Sequence, residues 1–150
     1  MKVRDIRNED GVRKWMYTDH SIGVNEHLSW INRLKTDEKQ IVFVILAQES
    51  GPLGVVSVNA IDRYHRKADW AYYLTQNARG GLGSAVEFSF INFVFDSLGI
   101  DKLNCEVIAG NDTVFMTMQK NGSQHSIKCQ PCIREGLRKS AQSLNLNVKS

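Results

Sequence analysis

The sequence has little cysteine, little net charge and no long apolar run, and each shortage narrows what the chain can be. No uninterrupted apolar stretch approaches the roughly 20 residues of a membrane-spanning helix, so no membrane partner is expected. The first residues, Met1-Lys2-Val3-Arg4-Asp5, hold no apolar run, which argues against a secretion leader. Cys105, Cys129 and Cys132 make an odd count, and without a leader they point to a reducing cytoplasm. A formal charge of +3 suits anionic small ligands but is too small to argue for nucleic acid. Neither internal repeats nor an inter-domain linker is visible, so residues 1–150 are expected to form one domain, with 121–150 as an irregular end.

What is present is an ordinary globular composition, 42% hydrophobic and 23% charged, and enough chain for a real core. It is organised around Asn77-Ala78-Arg79-Gly80-Gly81-Leu82-Gly83-Ser84. Upstream, Ala68–Thr75 is rich in aromatics and reads as a strand. Downstream, Leu82 to Leu98 reads as a helix, with Leu82, Val86, Phe90 and Phe93 at helical spacing. A glycine loop therefore joins a strand to a helix N-terminus, where first-turn amides lack intrahelical acceptors and the dipole is positive. Glycine lets those amides approach an anion without a Cβ in the way. From the residues alone, the segment is either a phosphate or pyrophosphate cradle, with Arg79 adding charge, or a helix start that happens to be glycine-rich. It is not a Walker loop, because no Lys-Ser/Thr follows the last glycine. It is not a dinucleotide fingerprint, because no opening βαβ unit is visible.

In chain order, Met1 to Ile6 reads as a stub of strand, and Asp10 to Met16 as a short helix with Asp10 as N-cap. Asn25 to Lys35 is an amphipathic helix with His27, Leu28, Ile31 and Leu34 along one stripe. Ile41 to Ala47 is nearly all apolar, hence a buried strand. Ser50-Gly51-Pro52 is a turn, and Leu53 to Ile61 is the hairpin partner, with Gly54 marking a bulge or close packing. The helix from Leu82 is apolar nearly all round and should lie under the sheet. Asp101 to Ala109 is a further strand, and Asn111 to Lys120 a helix with Val114, Phe115 and Met118 on one side. Cys129-Gln130-Pro131-Cys132 resembles a redox C-x-P-C, but no strand–helix context surrounds it, and three nearby ligands are too few for structural zinc. The order suits an α+β fold, a mixed and mainly antiparallel sheet flanked by helices.

Ala78-Arg79-Gly80-Gly81-Leu82-Gly83 resembles motif A of the GNAT acetyltransferase superfamily, R/Q-x-x-G-x-G/A. The last two glycines match and the arginine falls one place late. The resemblance implies the acyl-CoA N-acyltransferase fold, here with its first strand short or missing, and acetyl-coenzyme A as cosubstrate with no metal. A second set of fragments is similar to the UDP-4-amino-4,6-dideoxy-N-acetyl-β-L-altrosamine N-acetyltransferases of pseudaminic acid biosynthesis, a route to flagellin glycosylation. These are Arg7-Asn8, Val12 to Tyr17, His20, Glu26-His27-Leu28, Trp30-Ile31, Leu34-Lys35, Leu53 to Val56, Ile61-Asp62, Lys102 to Val107 and Asn111. Later the chain departs from that branch: Met118 stands where relatives carry Tyr or His, and Ser123 where they carry Phe.

That resemblance implies direct attack of a sugar amine on the thioester, in a ternary complex. Tyr73, Leu74 and Thr75 would lie nearest the thioester on a strand whose neighbour splays away. Arg79, Gly80, Gly81, Leu82, Gly83 and Ser84 would hold the pyrophosphate, with Asn111 also on the cofactor side. Glu106 is the candidate base, acting through water, and is otherwise a carboxylate on an exposed strand face. Met118 cannot donate a proton, which leaves solvent or Tyr73 as the acid. Arg7, Met16, Tyr17, His27 and Asn59 match the sugar-nucleotide side, though Arg7 also reads as a solvated charge, Met16 as ordinary core and His27 as a core histidine. The expected partner is a UDP-linked amino sugar in the cytoplasm, with a homodimer as the candidate assembly and no nucleic acid. Two alternatives stay open: a protein N-terminus or other small amine as acceptor, or a degenerate relative that binds coenzyme A without catalysis.

Overall fold

A computed structural model describes residues 2–48, 50–78, 81–108, 110–112, 114, 127–132 and 144–145. The elements are α1 (Lys2–Asn8), α2 (Asp10–Arg13), α3 (Val24–Leu34), β1 (Ile41–Ala47), β2 (Gly51–Asp62), β3 (Lys67–Leu74), α4 (Leu82–Leu98), β4 (Lys102–Ile108), β5 (Ile127–Cys132) and β6 (Leu144–Asn145). The strands form one mixed sheet in the order β1-β2-β3-β4-β5-β6. β1, β2 and β3 pair antiparallel, β3–β4 and β4–β5 parallel, and β5–β6 antiparallel. This is the α+β layering the element order predicts.

The sheet has two differently built faces. On one, Val56, Val58, Trp70, Leu103, Cys105 and Val107 pack against Phe90, Ile91 and Val94 of α4. Burying that much aliphatic and aromatic surface is the main stabilising term, and it explains why α4 spans the residues its periodicity predicts. On the other face α1 lies against β2, with Ile6, Val12 and Val55 buried. Gly54 is required at the β2–β3 crossing, because a Cβ there would stand 2.1 Å from the Tyr73 carbonyl oxygen. The β1–β2 register also slips beside it, between Ile45 and Leu46, so close packing and a bulge coincide as expected.

Several expectations need correction. Lys2–Asn8 is helical, not a strand stub, with Ile6 buried against the core. The N-cap of α2 is Glu9 rather than Asp10, and Asp10 pairs instead with Arg13. On α3 the inward residues are His27, Trp30 and Leu34, whereas Leu28 and Ile31 are exposed, a stripe rotated by one position. β1 is apolar but stands at the sheet edge, so Leu46 is 69% exposed while Phe43 packs edge-on against Phe90 and Phe93. The Cys129–Cys132 segment lies in β5, so part of the end expected to be irregular is strand. Cys105, expected as a reduced thiol, is disulfide-bonded, and its register neighbour across β4–β5 is Cys129. The helix expected from Asn111 falls mostly outside the described residues.

Candidate active site

β3 and β4 run side by side for only four residue pairs, ending at Trp70↔Cys105, although both strands continue beyond. Past that point they diverge. On its other side β3 stays zipped to β2, and Thr75 N–H donates to Leu53 O at 2.7 Å. Strand groups alternate in direction, so Tyr73 shares that orientation while the N–H and C=O of Tyr72 and Leu74 turn into the gap. Extended backbone polar groups need partners, and a ligand with amide groups along its length could supply them.

The C-terminal ends of β3 and β4 point the same way, and the start of α4 lies at this end. Gly81 caps α4 at φ 88°, a left-handed conformation that glycine adopts without strain. Among the described residues, nothing lies within 4 Å of where its Cβ would be. The first intrahelical bond is Ala85 N–H to Gly81 O (3.2 Å), so the amides of Leu82 and Gly83 lie ahead of the ladder. Arg79 and Gly80 fall outside the described residues. Asn111 follows the end of β4, its N–H bonded to Ile108 O (3.1 Å).

α4 is fastened beneath this opening by two groups the sequence reading did not select. Glu87, fully buried, accepts a hydrogen bond from the Tyr72 hydroxyl, which lies 3.5 Å from where a Gly83 Cβ would sit. Burial, then the Glu87 charge, push the Tyr72 phenol far above its ordinary range. A buried Glu between Val86 and Phe88 looks like a misplaced charge in the sequence; a tyrosine one layer across is what makes it tenable.

On the outward face, where the strands begin to part, an open pocket of about 470 Å³ is lined by Tyr17, Asn59, Asp69, Ala71, Lys102, Asn104 and Glu106, with Trp70 and Cys105 at its base. Three residues predicted separately, Tyr17, Asn59 and Glu106, thus share one pocket. Asn59 is held by Gln40 (2.6 Å) and in turn donates to Ser57 Oγ (3.1 Å). Asp69 and Asn104, not predicted, are joined by a 3.0 Å hydrogen bond, with Asn104 the donor. The alternation of β3, with Ala68 and Trp70 inward and Asp69 outward, is the signal that could have found Asp69.

Other predicted positions lie elsewhere. Tyr73, half-buried, has its phenol pushed up to about 12 by burial, opposed by the Arg7 charge beside it. Arg7 is committed to Thr18, donating to its carbonyl (2.8 Å) and its hydroxyl (3.1 Å), and burial lowers its pKa. Met16 is partly buried after α2. His27 is absent from the pocket lining: its ring is buried at 5.5 Å from Trp30, and burial, with the Arg4 charge assisting, lowers its pKa. The structure thus favours its reading as a core histidine. Among the described residues, no group of His, Cys, Asp and Glu could hold a metal, and no helix is long and apolar enough to cross a membrane.

A profile of the acetyltransferase (GNAT) domain family matches residues 2–124. Among solved structures, spermidine N-acetyltransferase from Vibrio cholerae in complex with CoA and spermine superposes with a TM-score of 0.74 at 16% identity, over 81% of this chain and 72% of that one. The N-acetyltransferase PseH from Campylobacter jejuni gives 0.58 at 24% identity, over 65% of this chain and 66% of that one. No curated protein sequence matches.

Proposed function

The chain belongs to the GNAT acetyltransferase family, enzymes that move acetyl from acetyl-coenzyme A to an amine, and from that premise we propose that its acceptor is the 4-amino group of a UDP-linked amino-deoxy sugar, as in pseudaminic acid biosynthesis. The observation that carries the proposal is the pocket uniting Tyr17, Asn59 and Glu106 where β3 and β4 part. Two of these are sugar-nucleotide positions by resemblance, and the third is the candidate base.

Acetyl-coenzyme A supplies an acyl group already activated as a thioester. The residues fit it: the open N-terminus of α4 from Gly81 suits its pyrophosphate, and the gap-facing groups of Tyr72 and Leu74 suit the amides of its arm. Leu74 N–H is the proposed donor to the acyl oxygen as it gains negative charge. Glu106, exposed in the pocket, takes the proton from the acceptor ammonium through water. Asp69, oriented by Asn104, holds the positive charge of the incoming amine nearby. Tyr73 keeps its proton at neutral pH and is the proposed donor to the departing thiolate, a weak one given its raised pKa. Positioning two substrates in reactive geometry contributes roughly 7–11 kcal/mol.

A small polyamine is the second reading, favoured by two carboxylates, Asp69 and Glu106, in one pocket. Free-thiol release from acetyl-coenzyme A should be measured with the UDP-amino sugar, spermidine and a peptide amine. Release with the sugar nucleotide is expected; release driven by spermidine alone would transfer the assignment to polyamines, and coenzyme A binding without release would mark a non-catalytic relative.

A further inference from the structure

Three consecutive side chains at the α1–α2 junction hold two different loops. Arg7 binds Thr18 as described. Asn8 donates to Ile22 O (3.0 Å) and accepts from Ile22 N–H (2.7 Å). The enclosed segment, residues 17–22, has no regular structure, carries Tyr17 to the pocket and is pinned again by Glu26 on His20 (3.0 Å). Glu9 turns to the sheet: one carboxylate oxygen accepts from Thr75 Oγ1 (2.7 Å), the other from Gln76 N–H (2.8 Å). These residues begin the turn, closed by Ala78 N–H to Thr75 O (3.0 Å), that leads from β3 towards Gly81. Gly11 permits the approach, since a Cβ there would meet the Gln76 side chain at 2.4–2.8 Å.

We propose that Glu9 is a positioning residue that couples the acceptor-side segment 17–22 to the cofactor-side turn 75–78, so that coenzyme A binding at the start of α4 orders the acceptor pocket. This rests on the coenzyme A site proposed above. The chemistry needs a carboxylate. Two acceptor oxygens satisfy two donors on one rigid group; glutamine offers one oxygen for the Gln76 amide, and the Thr75 hydroxyl would have to turn and accept from the glutamine NH2, a weaker neutral bond in place of a charge-assisted one. A negative charge near a pyrophosphate would oppose binding unless donors absorb it, and here both oxygens are engaged. Coupling of this kind is reciprocal, so acceptor binding tightens coenzyme A by the same factor.

Amide hydrogen exchange with and without coenzyme A tests it, alongside calorimetric titration of coenzyme A. In the wild type, coenzyme A should slow exchange at both 81–86 and 17–22. In Glu9→Gln, coenzyme A affinity should fall about fivefold, the scale of one weakened charge-assisted hydrogen bond, and at saturating coenzyme A the 17–22 segment should lose its protection while 81–86 keeps it. Thr75→Val, which removes one donor and spares the charge, should show the same split if Glu9→Gln does not fold. Unchanged protection of 17–22 in either folded variant would overturn the coupling alone. Absence of coenzyme A binding, or of protection at 81–86, in the wild type would overturn the cofactor site and the coupling with it.

Discussion

The two faces of β3 are built from neighbouring residues and do opposite work. Ala68, Trp70 and Tyr72 face α4, where Trp70 stacks on Tyr72 (5.6 Å) and leans on Phe90 (5.8 Å). Asp69, Ala71 and Tyr73 face the other way, towards the pocket, Arg7 and α1. Even the adjacent tyrosines divide the labour: Tyr72 fastens α4 through Glu87, and Tyr73 lies beside Arg7 of α1. A strand that separates the tasks by parity can tolerate polar change on one face without losing its core, because side chains two apart share a face and neighbours do not.

That division predicts unequal responses. Trp70→Ala, at 2% exposure, should cost about 4 kcal/mol of stability through lost burial and a cavity, measured by urea unfolding; a loss below about 1 kcal/mol would mean that the α4 face is not the core. Glu106→Gln should lower kcat/KM by about 100-fold, as loss of a general base does, with the unfolding midpoint unchanged. Equal loss of both would make Glu106 structural. Gly54→Ala should cost about 2 kcal/mol by forcing β2 from β3, and its activity should fall with it, since the Tyr73 carbonyl it displaces belongs to the strand both faces share. The smallest effect concerns His27. Burial lowers its folded pKa, so the unfolded chain binds the proton more tightly and stability falls as pH drops below the ordinary histidine value. Thermal melting between pH 7 and 5 should show this slope (about the histidine range), and His27→Leu should flatten it.

The sequence reading went furthest where signals were local. Helix α4, the Gly81 turn and the close approach at Gly54 each follow from periodicity or from a missing side chain. It went astray where position in the sheet decided. The apolar run of β1 reads as a buried strand, yet it stands at an edge and is partly exposed, because sheet order is set by connections and not by hydrophobicity. On α3 the expected stripe shares His27 and Leu34 with the observed inward face and differs at Leu28 and Ile31, where Trp30 turns inward instead. Asp69, Glu87 and Glu9 are not legible as site or tether residues in the sequence, because each gains meaning only from a partner elsewhere in the chain: Asn104, Tyr72 or Thr75.

By itself, then, the order of residues determined which segments are helix or strand around the glycine turn and which end of α4 is the electropositive one, for these depend on contacts a few residues apart. Tertiary structure alone decided that β3 and β4 part after Trp70 and Cys105, that Tyr17, Asn59 and Glu106 meet in one pocket, and that Glu9 reaches across to Thr75. Those are meetings of residues tens of positions apart, and only the closed packing of helices on a twisted sheet brings them within hydrogen-bond range.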